Sequence, residues 1–474
     1  MSEAEVIALA VLGLAICLTN WRAGVFVCLI SGFLLDPIRK IVPGEPVYLT
    51  AVVGVFLLAT AIRATLRGVR FSLRPVHQWN KSLRLPMRLF FALVILESGI
   101  TFVKTGSAVL ATIGLIAYLA PLPAVILGYN FARTEQDALK FLKVYAAFTV
   151  LLLSGIYLSL AGYDWKILSS VGEGLIAFSP TGEQLTLLSG FFRAPEVAAW
   201  HAATATCALV LLFMVIKGQR AIQWIAASIV PFLLVALVFT GRRKFIVEIA
   251  MFGCLYLFLL SVFHTSAVKS ALILVASIVL TFGAYTYLIP PDATGRVLPY
   301  YGRAAIVNEE GSGRLFGMTV DSFTYVIAQN GLLGAGAGLG SQGAQHFGGG
   351  AVVVGDAAEG GLGKVLAELG ILGLVLLSWI GIALLRYSWS IVAFTRKKDV
   401  SASKLSFGLM SLMAANGIVF ATAHQVFGDP FVLIILGFMI GFLFAVPKMS
   451  ERALALRQRE QVLSGAPSVQ YTVR

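Results

Sequence analysis

The chain has 474 residues, of which 58% are hydrophobic and 12% charged, with a mean hydropathy of +0.88. A soluble domain carries roughly 25% charged residues, so this composition excludes one and indicates a polytopic membrane protein. The formal charge of +13 would suit nucleic acid, but the cations fall in loops between apolar runs, where orientation in a membrane accounts for them.

Thirteen apolar runs are read as spans of a hydrocarbon core about 30 Å thick. They cover residues 5–19, 23–36, 47–62, 88–103, 107–129, 142–161, 197–216, 221–240, 245–263, 269–289, 364–385, 405–423 and 430–447. The first two are short, so about 12–13 spans are expected. Met1 to Glu5 carry two acids and no cation, a poor start for a cleavable signal, and the first run is expected to be retained. The expected fold is all-α, a transmembrane helix bundle forming a single integral membrane domain over residues 1–474.

Between the third and fourth spans stand Arg63, Arg67, Arg70, Arg74, Lys81, Arg84 and Arg88 with no acid among them. That segment is expected on the cytoplasmic side. Alternating outward places Arg386, Arg396, Lys397, Lys398, Lys404 and the C-terminal tail on the same side. Of 36 Lys and Arg, 24 then fall inside and 12 outside, while the 23 acids divide 5 to 18.

Two outer segments are long, Gly162–Glu196 and the large loop 290–363. In the second, Leu315, Met318, Phe323, Val326 and Ile327 recur near helical spacing, which predicts a short amphipathic helix near the membrane interface. The Gly-rich stretch "GLLGAGAGLGS" (Gly331–Ser341) lacks the G-x-G-x-x-G spacing and a βαβ context, and is expected to be a turn. All four cysteines, Cys17, Cys28, Cys207 and Cys254, lie in apolar runs and are read as packing residues.

Against the charge bias, "TGRRK" puts Arg242, Arg243 and Lys244 together on the outer side. Glu248, four residues after Lys244, is expected to neutralise it. That leaves Arg242 and Arg243 for an external anion, and the guanidinium fork suits phosphate oxygens. "GFFRAPEVAAWHA" carries Arg193, Glu196, Trp200 and His201 into the seventh span. Arg193 and Glu196 are read as a structural pair or as part of a site. His201, just inside an apolar run, is a functional candidate by its position, and Glu97 is a weaker one. His346 and His424 are single outer histidines, and no cluster has metal-ligand spacing.

The external "TGRR" after a span, the long outer loop with "GSGR" and the return through "GLGKVLAELGILGLVLL" resemble the O-antigen ligase and O-antigen polymerase superfamily of membrane glycosyltransferases. "DPIRKIVPGEP" near the start fits its polysaccharide-polymerase members. The resemblance covers about residues 190–385. It implies a multi-pass protein of the bacterial inner membrane, with its active site facing the periplasm and its C-terminus in the cytoplasm. The implied activity is metal-independent, inverting transfer of a glycan from an undecaprenyl-diphosphate carrier, which is a substrate and no cofactor. The family's edge arginine falls on Arg243 or Arg242 and its loop arginine on Arg314, which would hold the diphosphate. Where members read His-Asn nine and eight residues before the Glu of "ELG", this chain has Glu359 and Gly360. Either Glu359 takes the base's place, with His346 and His201 as alternatives, or the ligase chemistry does not carry over.

The expected function is therefore polymerisation of lipid-linked repeat units for an exopolysaccharide, capsule or O-antigen. A ligase acting on lipid A core is the near alternative, and a lipid-linked glycan flippase the alternative of another class. A flippase should show pseudo-repeats and ionisable groups deep in its spans; here the arginines gather on one face. Lipid-linked oligosaccharide, membrane lipids, a flippase and a chain-length regulator are the implied partners, and nucleic acid is not.

Overall fold

A computed structural model describes residues 3–72, 81–171, 176–178, 184–216, 218–266, 323–341, 360–396, 398–422 and 425–463, with a few single positions between 268 and 300. Among the described residues there are thirteen helices: α1 (Glu3–Thr19), α2 (Trp21–Ile41), α3 (Val52–Leu66), α4 (Arg84–Thr105), α5 (Ala108–Leu119), α6 (Pro121–Phe131), α7 (Glu135–Leu160), α8 (Pro195–Val215), α9 (Arg220–Phe239), α10 (Lys244–Phe263), α11 (Gly361–Thr395), α12 (Val400–Thr422) and α13 (Pro430–Leu463). Among the described residues eleven helical segments are long and apolar enough to cross a membrane, α5 and α6 together counting as one. The protein is an all-α, multi-pass helix bundle. Every expected span coincides with a helix except the tenth, 269–289, most of which lies outside the described residues.

Apolar side chains gain little from leaving lipid for protein, so small residues decide which helices meet closely. α8 is the central helix, and its Ala- and Thr-rich sequence lets neighbours approach on every side; 89% of its most apolar window is buried. α13 lies against α6 through Gly437 and Gly441, four residues apart. A methyl group on Gly441 would fall 2.4 Å from the Val125 carbonyl oxygen. Around this core the lipid-facing positions stay apolar, as Leu58, Ile95, Phe258 and Val375 show.

The ion pairs among the described residues fall into two groups, one toward each end of the bundle. At one end Arg22 pairs with Asp137 at 2.8 Å. Arg63 Nε donates to the Thr19 carbonyl at 3.1 Å, Lys404 Nζ to the Met214 carbonyl at 3.1 Å and Ser401 to Glu135 at 2.7 Å. The other end collects Asp36, Lys40, Arg193, Glu196, Arg242, Lys244, Gln425 and Asp429. This division matches the alternation expected from the cations. Asp164 and Arg67 are exposed at opposite ends. With an impermeant thiol reagent on spheroplasts, Asp164→Cys should label and Arg67→Cys should not; the reverse pattern would invert the expected orientation.

Candidate functional site

Arg193 is delivered by the segment that precedes α8. Gly190 adopts φ +58°, a left-handed turn that brings Phe191 close enough for its N–H to donate to the Leu152 carbonyl at 3.2 Å. The chain then meets the end of α2 and the start of α13. There Arg193 Nη2 lies 2.8 Å from Asp429 Oδ2, and Nη1 lies 3.7 Å from Asp36 Oδ1. Its backbone N–H also donates to Asp36 Oδ2 at 3.1 Å. Burial works against the Arg193 charge, but the Asp429 and Asp36 carboxylates more than offset it and hold its pKa above the ordinary arginine value. Beside them the buried Lys40 donates from Nζ to the carbonyls of Gly190 at 2.9 Å and Ile167 at 3.0 Å.

Glu196 sits in the first turn of α8, behind Pro195, where the positive end of the helix dipole favours an acid. The turn between α9 and α10, with Gly241 at φ +65°, faces it. Arg242 Nη2 lies 3.3 Å from Glu196 Oε2, and Lys244 Nζ pairs with Glu196 Oε1. Lys244 also donates to Gln425 Oε1 at 3.3 Å. Arg243 is half-buried at the N-cap of α10. Three cations at the positive end of a helix are electrostatically unfavourable alone, and Glu196 relieves this.

Two expected pairings are thereby corrected. Lys244 is held by Glu196 and not by Glu248, and Arg193 is held by Asp36 and Asp429 and not by Glu196. The i,i+4 rule describes an isolated helix surface, whereas Glu248 points into the bundle and is fully buried. Its Oε1 accepts from Thr204 Oγ1 of α8 and Asn416 Nδ2 of α12, each at 3.0 Å. Asn416 Oδ1 accepts in turn from Trp200 Nε1 at 2.7 Å. A single polar junction thus ties α8, α10 and α12, one turn beneath the charged cluster. Arg242 meets Glu196 in the same cluster, so an external anion that uses this guanidinium must compete with that carboxylate.

His201 is fully enclosed by Phe33, Tyr145, Phe192, Trp200 and Phe431, with ring centroids 4.8–5.8 Å away. The Tyr145 hydroxyl lies 3.0 Å from its Nδ1. That enclosure favours a packing role over acid–base work on a substrate. Glu359, His346, His424 and Arg314 lie outside the described residues.

The Gly-rich stretch is more than a turn. Ala335 and Gly336 donate backbone N–H to the carbonyls of Ala367 and Glu368 in α11, and Ala337 to that of Glu97 in α4. α11 breaks its helical geometry at Gly370 (φ 67°, ψ −168°), where Ile371 N–H donates to Leu332. Gly336 at φ +124° and Gly338 at φ +97° hold conformations that a side chain resists. A methyl group on Gly114 of α5 would meet the Ala337 carbonyl carbon at 2.5 Å. The buried Glu368 carboxylate closes the arrangement, accepting from Tyr118 at 2.6 Å and from Gly340 N–H at 2.8 Å. Non-helical backbone at membrane depth is tolerated where protein satisfies it, as here. Residues 323–330 are helical, with Val326 buried against Leu110, Leu339 and Leu366; the rest of the expected amphipathic helix lies outside the described residues.

The Glu196 cluster therefore offers a guanidinium and an ammonium, partly exposed, at one end of a multi-pass membrane protein. It can hold an anion if Glu196 yields. Among the described residues no group of three or more His, Cys, Asp and Glu is placed to hold a metal ion. No protein-family model and no curated protein matches this chain.

Proposed function

We propose that the protein is a membrane glycosyltransferase that polymerises polyprenyl-diphosphate-linked repeat units on the periplasmic face of the bacterial inner membrane. The observation that carries the reading is the gathering of Arg193, Arg242, Arg243 and Lys244 at one end of the bundle, against the cation bias of the whole chain. Departure of a diphosphate needs its developing charge stabilised, and fixed cations do this without a metal. A lipid carrier presents that group at the height of the helix ends, where these residues stand.

Deleting the gene should leave undecaprenyl carriers loaded with single repeat units, read by mass spectrometry of extracted lipid-linked glycans. Accumulated long chains would identify a ligase instead. Unchanged carriers on the outer leaflet would remove both readings.

A further inference from the structure

Arg242 and Lys244 are both engaged with one carboxylate, that of Glu196. An anion that uses these cations must compete with it. Glu196 is mostly buried between them, its side chain 9% exposed, while the cations are 21% and 22% exposed. The cations are thus more open to an arriving ligand than the acid that holds them. Gln425 backs Lys244, and Arg193, three residues before Glu196, is itself engaged by Asp36 and Asp429.

We propose that Glu196 is a displaceable counter-ion that becomes the general base once a lipid diphosphate takes its place on Arg242 and Lys244; this rests on the reading above. Two anions in reach of the same two cations repel each other, and the doubly charged, multidentate phosphate wins the guanidinium fork. With both cations on its oxygens, the Glu196 carboxylate is occupied; displaced by the phosphate, an oxygen is open to an acceptor hydroxyl. The acceptor hydroxyl gives its proton to a Glu196 oxygen, and its oxygen forms the new bond to the anomeric carbon. The bond from that carbon to the diphosphate breaks, and its electron pair leaves with the polyprenyl diphosphate, whose charge Arg242 and Lys244 hold. Coupling base release to donor binding also keeps the base inactive when no donor is present.

The test separates binding from turnover. Undecaprenyl diphosphate is titrated into purified protein and bound lipid is read by native mass spectrometry; polymer is measured in a complemented deletion strain. Glu196→Gln should bind the lipid about fivefold more tightly, because the competing charge is gone, yet make less than about a hundredth of wild-type polymer. If that variant does not purify as a single species, Glu196→Asp replaces it: its carboxylate is one methylene shorter and reaches the two cations less well, so binding should again tighten, and polymer should fall about tenfold. Weaker binding would make Glu196 a support for the cations and overturn the displacement. Wild-type polymer would overturn the base. Failure of the wild-type protein to bind the lipid would instead sink the underlying reading.

Discussion

Arg242→Ala should abolish polymer formation, by about 10²–10³-fold, while the protein is still made and inserted. Arg242 is the guanidinium that faces the cluster, with Nη2 3.3 Å from Glu196, and its backbone N–H donates to Thr240 Oγ1 at 3.4 Å. That fixed turn aims the fork before any ligand arrives. Arg242→Lys keeps the charge but loses the planar paired donors, so polymer should fall well below wild type. Arg243→Lys should cost less, because Arg243 sits at the N-cap and the Glu196 pairing falls to its neighbours. Polymer yield normalised to immunoblotted protein checks all three. Equal activity of Lys and Arg at position 242 would reduce the cluster to an electrostatic anchor.

The helices were legible because a membrane imposes a length and a composition on each span, and hydropathy alone reports both. Charge partners were not, since bundle geometry sets them and sequence spacing does not. Lys244 and Glu248 stand four apart and never pair; Lys244 reaches 48 residues back to Glu196. One signal was overlooked. Asp36 and Asp429 each precede a proline at the edge of an apolar run, and both converge on Arg193. The glycines 334, 336, 338 and 340 also recur at every second residue, a spacing unsuited to a helix; the stretch forms successive tight turns packed against Gly114 and Gly370. The turn was legible; its packing was not, because the helices it meets contribute the other half of the fit.

Arg193→Ala should be the most destabilising single change at this end of the bundle. Asp36 and Asp429 come from α2 and the start of α13, and the guanidinium between them is the cation that holds both. Their side chains are only 9% and 4% exposed, and Arg193 is 19% exposed, so solvent screens the contacts weakly. Truncating one partner of such a cluster leaves uncompensated buried charge, a cost of about 3–5 kcal/mol. The loss should appear as a lower unfolding temperature in detergent and a smaller monodisperse fraction on size exclusion. Asp429 has a second duty, accepting the Phe431 N–H at 2.8 Å, which an asparagine there can still accept. Adding Asp36→Asn and Asp429→Asn to Arg193→Ala removes the unpaired charges and should recover more than half of the lost stability. If the single variant is as stable as wild type, the three residues do not share a desolvated network, and the helix ends are held by packing alone. Recovery of stability without recovery of polymer would place Arg193 in the donor site as well as in the fold.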